Sequence, residues 1–404
     1  MKRRVIQFQW HKSGSSGDIG CRTGVSLHSH TMYSKEGLTF VPRYARRVPL
    51  LSWEFGRLER RYEAFYGKVF DFTAAYWTPP LPSREAYEIE RGQIENDLGL
   101  SAIVSLTDHD NIEAGGQLQV LKPDIPISVE WTIPFDETFF HLGVHNLPGQ
   151  VARDIMQALA GYTRQPEASR LSELLIWLDA QPGSLIVLNH PMWDQGGLGP
   201  VRHRETLLRL IEKGGDRIHA LELNGLRPWR ENRMVIDLAV DLNRTLISGG
   251  DRHGREPNAV INQTKSSSFG EFAEEVRSGW SHVLFLPQYR RPLQLRILQT
   301  LCDVVGGSPD LPGRQGWADR IFYARPDGEF VPLSSVWKSG GPALIRWFVR
   351  GVEFAGSRRM QRVLQVLVQG VLESGGPHAG DLERLTGATV AEGLRGDLQR
   401  GGDR

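Results

Sequence analysis

The chain has 404 residues, 40% apolar and 24% charged, with 48 Lys plus Arg against 47 Asp plus Glu and a formal net charge of +1. That composition excludes a chain disordered throughout and gives no overall charge to hold nucleic acid or an anionic membrane; it suits two or three domains, or one large barrel with appendages. Cys21 and Cys302 stand far apart and outside any CxxC spacing, which leaves His and carboxylate to hold any metal.

Residues 1–23 read as an N-terminal arm or linker, with a flexible Ser-Gly-Ser-Ser-Gly joint at 13–17. No apolar run approaches the roughly 18 residues of a membrane span, and residues 1–10 are basic without an apolar signal core, so a cytoplasmic protein is expected. From Gly24 onward β-type runs at 25–27, 102–106, 125–129, 139–144, 185–188, 218–223 and 245–248 alternate with helical patterns at 84–98, 112–121, 168–179, 205–213 and 231–243. In the last of these Met234, Val235, Leu238 and Leu242 mark one apolar face. The alternation predicts an α/β architecture with parallel strands, and seven strands are close to a barrel.

Two regions interrupt the rhythm of this body, which spans 24–288. An aromatic-rich insertion at 41–95 carries Phe55, Leu58, Tyr62, Phe65, Tyr66 and Val69 at helical spacing, and Thr78-Pro79-Pro80-Leu81-Pro82 stops it. It reads as a helical layer over the barrel mouth or a lid that stacks on a substrate ring. Residues 289–404 form a helical appendage with a basic amphipathic stretch at 358–372, fit to pack on the barrel or dock on a partner protein or membrane surface, and then a polar Gly-rich tail.

The chemistry lies at the strand ends. They deliver, in order, His28-Ser29-His30, Thr107-Asp108-His109-Asp110, Glu130, His141, Asn189-His190-Pro191, Glu222-Leu223-Asn224 and Asp251-Arg252-His253. In a parallel barrel these ends meet at one face. Residues i and i+2 of a strand share a side, so His28 and His30 face one ion together, as do Asp251 and His253. Imidazole and carboxylate without thiolate suit zinc, manganese or iron. The donors outnumber the roughly three that a catalytic zinc takes from protein, so a cluster of two or three divalent ions is expected. Each motif alone also has an ordinary reading: a strand end for HxH, a helix cap for Asp108 or Asp110, a turn for His190-Pro191.

Taken in order, His28-x-His30, Thr107-Asp108-His109-Asp110, Glu130 with His141-Leu142-Gly143, Asn189-His190-Pro191 and Gly250-Asp251-x-His253 resemble the PHP (polymerase and histidinol phosphatase) family over roughly residues 24–285. The resemblance implies a distorted (β/α)7 barrel with a helical insertion after its first strand, two or three bound divalent ions, and hydrolysis of phosphoesters by water that the ions activate. The implied ligands are His28, His30, His109, Glu130, His141, His190, Asp251 and His253, with Glu130 bridging two ions. The family has an Asp shortly after HxH; here Lys35 stands in that place, and Glu36 fills it only if the loop shifts by one residue. The amidohydrolases share the HxH start but use a bridging Lys from mid-barrel, and no Lys lies near the ends of the third to fifth strands. Lys35 and Arg252 are the candidate phosphate contacts, although the position of Arg252 between two ligands turns it from their face. A small phosphorylated molecule is the expected substrate. The alternatives are a nuclease acting on DNA or RNA, and a metal-binding barrel without catalysis that serves as a binding module.

Overall fold

The computed structural model describes residues 5–11, 20–39, 41, 42, 46, 49–69, 71–308, 311–325, 327–337, 341–357, 359, 360, 363 and 364. The joint at 13–17, the polar tail and most of the stretch at 358–372 lie outside the described residues.

The chain is mixed α/β. It opens with β1 (Val5–Trp10), β2 (Thr23–Leu27), β3 (Glu36–Gly37), α1 (Pro49–Tyr66), β4 (Ala75–Trp77), α2 (Ser83–Gly92), β5 (Ser101–Ser105) and α3 (Glu113–Leu121). There follow β6 (Ile127–Phe135), β7 (Thr138–Leu147), α4 (Ala152–Arg164), α5 (Ala168–Asp179), β8 (Leu185–Leu188), α6 (Pro200–Gly214), β9 (Ala220–Asn224), α7 (Trp229–Asp241) and β10 (Thr245–Gly249). The described chain closes with β11 (Val260–Thr264), α8 (Phe269–Arg277), β12 (Trp280–Phe285), α9 (Leu293–Val305), β13 (Ile321–Ala324), β14 (Phe330–Pro332) and α10 (Ala343–Ala355).

All seven expected strands are present, as β2 and β5 to β10. Their directions are mixed. The pairs β2–β5, β8–β9 and β9–β10 are parallel, but β7 runs antiparallel to both β6 and β8. Only Asp136 and Glu137 join β6 to β7, with Asp136 in the left-handed region (φ 50°), and a parallel crossover needs a dozen residues or more. The ladders do not close into one cylinder: among the described residues they form sheets of order β1-β12-β11-β2-β5, β10-β9-β8-β7-β6 and β14-β13-β4-β3.

Both edges of the second sheet, β6 and β10, meet the first sheet through short contacts. Glu130 N donates to Asp108 O (3.1 Å) and Asp110 N to Glu130 O (2.9 Å), which joins the end of β5 to β6. At the other seam Gly250 N donates to Leu27 O (2.9 Å) and Asp251 N to His28 O (2.7 Å). Further down that seam a side chain takes the part of a strand: the Asn262 amide accepts from Ser248 N (2.8 Å) and donates to Ser248 O (3.0 Å). The strands β2, β9 and β10 are buried along their whole length, and the main core packs Val129, Trp131, Leu142, Leu188, Leu221 and Leu223 against the helices. In α7 the buried stripe is Val235, Ile236, Leu238 and Ala239, one position round from the expected one, and Met234 is exposed.

The outer segments join this body. Val5–Trp10, within the expected arm, pairs in parallel with β12. The insertion is not only helical, because β4 pairs with β3 on one side and with β13 of the C-terminal appendage on the other. Among the described residues no helix is long and apolar enough to cross a membrane.

Replacing Asn262 by Leu removes both amide bonds and leaves buried Ser248 backbone groups without partners. The expected loss is at least about 2 kcal/mol of stability in urea unfolding; an unchanged midpoint would show that the seam does not depend on this amide.

Candidate metal centre

The eight expected ligands come from six strands (β2, β5, β6, β7, β8 and β10) or the loops that follow them, and the structure gathers all eight into one cluster. Glu130, fully buried, is its hub. Its Oε2 lies 3.1 Å from His28 Nε2, 3.4 Å from His30 Nε2 and 3.3 Å from His109 Nε2. Its Oε1 lies 3.1 Å from His190 Nε2 and 3.4 Å from His141 Nδ1. Asp251 Oδ1 faces His28 Nε2 at 3.7 Å and His30 Nε2 at 3.5 Å, and His253 Nδ1 is 3.5 Å away.

The loop after His30 resolves the choice between Lys35 and Glu36. Glu36 turns inward, 3.3 Å from His109 Nε2 and 3.2 Å from His253 Nε2, and Ser34 Oγ donates to it (2.5 Å). Its strand, β3, pairs with β4, so the edge of the third sheet places this carboxylate. Lys35 turns out into solvent with its ammonium 5.4 Å from the Tyr76 ring. Four overlapping groups of donors result: His28, His30 and Asp251; His28, Glu130 and His190; His109, Glu130 and His141; and His30, Glu36, His109 and His253.

Local backbone departs from a regular strand here. His28, His190 and Asp251 have φ of 62°, 28° and 55°, a left-handed region that costs a non-Gly residue about 1–2 kcal/mol. The pairs His28/His30 and Asp251/His253 thus converge through kinked strand ends rather than through an unbroken pleat. The seam bonds that cross between these ends hold the kinks in place.

A second layer aims the imidazoles. Glu222 Oε1 accepts from His28 Nδ1 (2.5 Å) and its Oε2 from His190 N (2.7 Å). With Nδ1 donating, the Nε2 lone pair of His28 points into the cluster, the tautomer a metal ligand needs. The His253 Nδ1 likewise donates to Asp251 O (2.8 Å) and leaves Nε2 toward Glu36. Gly249 makes room for this layer, since a Cβ there would collide with the Glu222 carboxyl and the His28 side chain. Asp108 caps no helix; it accepts from Thr31 N (2.5 Å) and Thr31 Oγ1 (2.7 Å) and so fastens the loop after His30. His145 sits behind the cluster, bonded to Ser105 Oγ (2.7 Å), and burial pushes it down to about 3.

Arg252 does not reach the mouth. Its Nε donates to buried Glu90 (2.6 Å) and its Nη1 to Gly254 O (2.8 Å), which removes it as a phosphate contact. A different cation stands there. Arg227, in the loop after β9, stacks 3.4 Å from the Trp193 ring centroid with Nη2 3.6 Å from Asp251 Oδ2. Aromatic rings border three of the imidazoles: Trp77 on His253 (5.7 Å), Phe139 on His141 (5.5 Å) and Trp193 on His190 (5.1 Å). Arg227 and Trp193 belong to no motif; their position three residues past Asn224 and His190, at the ends of β9 and β8, is the one signal the sequence offers.

Charge balance in this pocket is unusual. Burial pushes His109 down, but Glu36 and Glu130 outweigh it and hold the ring up at about 10; His28 is raised in the same way by Glu130 and Glu222. Burial would raise Glu130 and Glu36, yet the surrounding imidazoles hold both well below the ordinary carboxylate range. His30, desolvated and beside His253, falls to about 4.

No protein-family model matches the chain, and comparison with curated proteins finds no match. Among solved structures it is similar to a protein proposed to be a metal-dependent phosphoesterase, from Bifidobacterium adolescentis, with 13% identity over 43% of this chain and 84% of that one and a TM-score of 0.29. It is also similar to an amidohydrolase from Chromobacterium violaceum, holding sulfate and no metal, with 14% identity over 57% of this chain and 87% of that one and a TM-score of 0.31. Likenesses this slight carry neither fold nor activity across to the chain.

Cation loading requires neutral imidazoles, and Glu36 and Glu130 hold His109 up at about 10, so loading displaces its proton. Titration with Zn²⁺ at pH 7.5 is therefore expected to release on the order of one proton or more per chain, read from calorimetric enthalpies in buffers of different ionisation heat. Because the raised rings gain protons as pH falls, affinity drops with acidification; buffer-independent enthalpies would contradict this.

Proposed function

We propose that the protein is a metal-dependent phosphoesterase of the PHP type, acting on a small phosphorylated molecule. The observation that carries the reading is the gathering of six imidazoles around three buried carboxylates, Glu36, Glu130 and Asp251. Among the described residues three central atoms, His28 Nε2, His30 Nε2 and Glu130 Oε2, are buried without hydrogen-bond partners. Leaving such atoms unmatched is costly, and a cation between them removes the cost. The donor set of nitrogen and carboxylate oxygen fits zinc, manganese or iron(II), and Glu130, with each oxygen facing a different set of imidazoles, would be shared between two ions.

Divalent ions in such a site lower the pKa of water and stabilise charge on the oxygens of an in-line displacement at phosphorus. The chain supplies the rest. His28, Glu130 and His190 would hold one ion and His109, Glu130 and His141 another, with His30, Asp251, Glu36 and His253 completing the overlapping donor groups around them. Arg227 offers a fixed guanidinium beside Asp251, held flat by Trp193, where a substrate anion at the cluster gains a charge-assisted bond. Trp77, Phe139 and Trp193 exclude water from the rim and give a ring-bearing substrate apolar faces to rest on. The balanced charge of the whole chain supports a small molecule over a long polyanion.

Chelation followed by dialysis is expected to abolish turnover of a phosphomonoester, and Mn²⁺ or Zn²⁺ to restore it; full turnover after verified metal removal would overturn the proposal. Hydrolysis confined to oligonucleotides would point to a nuclease, and bound metal with no turnover of monoesters, diesters or oligonucleotides to a binding module. Arg227→Met is expected to raise KM for the phosphoester by roughly 10- to 100-fold, the worth of one charged hydrogen bond, with a smaller change in kcat. An unchanged KM would remove Arg227 from substrate binding.

A further inference from the structure

Beneath the cluster lies a second buried carboxylate. Glu90, near the C-terminal end of α2, is fully buried and turned toward the seam between the ends of β2 and β10. Its Oε1 accepts from Arg252 Nε (2.6 Å) and Ser29 Oγ (3.2 Å). Its Oε2 accepts from Ser26 Oγ (2.8 Å) and Asn258 N (3.2 Å). Ser29 is the middle residue of His28-Ser29-His30, and Arg252 is the middle residue of Asp251-Arg252-His253. One carboxylate therefore grips the centre of both ligand tripeptides from below.

Those tripeptides also lie side by side. Ser29 and Arg252 form a parallel bridge, Asp251 N donates to His28 O (2.7 Å), and His30 N donates to Arg252 O (2.9 Å). With the middle side chains pulled down onto Glu90, the outer ones face up into the cluster. Two of the four outer residues, His28 and Asp251, hold the left-handed backbone described above, a conformation that persists only when its surroundings over-determine it.

Resting on the metal-centre reading, we propose that Glu90 is a positioning residue: through Ser29 and Arg252 it sets the spacing of His28, His30 and Asp251 and so tunes the affinity for one ion. Stability alone does not explain the pair, because a buried ion pair is commonly replaced by apolar residues of similar volume at no net cost. What an apolar pair cannot supply is a simultaneous hold on Arg252, Ser29, Ser26 and the Asn258 backbone. The device also ties α2, at the end of the insertion, to the cluster.

The test uses the full chain and Co²⁺, whose visible absorption reports ligand geometry. Glu90→Leu/Arg252→Met removes both charges together and, because Ser26 Oγ and Asn258 N lose their acceptor, is expected to lower the metal-free melting temperature by a few degrees while still folding. It is expected to weaken one Co²⁺ by tenfold or more and to alter its absorption bands, while Co²⁺ at the His109, Glu130 and His141 group stays within about twofold. Ser29→Ala, a milder change that leaves the ion pair intact, is expected to weaken the same ion several-fold, and it decides the matter if the double variant does not fold. Parent-like affinities and spectra in a folded variant overturn the positioning role, as does equal weakening of every ion. A parent protein that takes up no Co²⁺ fails the metal-centre reading instead.

Discussion

A carboxylate with no solvent contact is the constraint around which the rest of this molecule is arranged. Glu130 lies at the start of a hairpin, on a strand otherwise filled with core residues, and water cannot compensate its charge. Five imidazoles from four other strand ends approach its two oxygens, and each must arrive with its nitrogen directed inward. The two sheets meet where they do because β5 joins β6 at Glu130 itself, through the bridge between His109 and Glu130.

Holding so many like side chains at one point needs a second tier of polar groups, and the structure provides it in separate pieces. Glu222 aims His28 and braces the backbone of His190, with Gly249 left bare to admit it. Asp108 fastens the loop that leads from His30 to Glu36, and Glu90 holds the paired tripeptides from beneath. Each of these carboxylates is buried and hydrogen-bonded, which is how a chain keeps such groups ordered in a low-dielectric interior. The left-handed φ at His28, His190 and Asp251 shows where packing overrides the preference of the backbone.

The mouth is built from chain segments far apart in sequence. A strand of the insertion, β4, lies between β3, which carries Glu36, and β13 of the C-terminal appendage. Trp77 of β4 reaches His253, so the same short strand contributes to the sheet, to the rim and indirectly to the placement of a cluster carboxylate. Insertion and appendage thus act as one covering layer, although neither shows in its local pattern that it needs the other.

What the sequence alone determined is the seven-strand framework and the eight-residue cluster, because apolar runs mark buried strands and His, Asp and Glu recur at their ends. Periodicity says where a strand lies and what type of residue leaves it; it does not say which way a residue turns once the pleat is broken. Only the tertiary structure decided for Glu36 over Lys35, reversed β7, moved the apolar stripe of α7 by one position, and turned Arg252 down to Glu90 rather than up to a substrate. Arg227 on Trp193, Glu222 on His28 and β4 against β13 belong to the same class. Each joins residues separated by tens to hundreds of positions, and such pairings are chosen by burial and charge in the assembled fold, which leave no trace in local spacing.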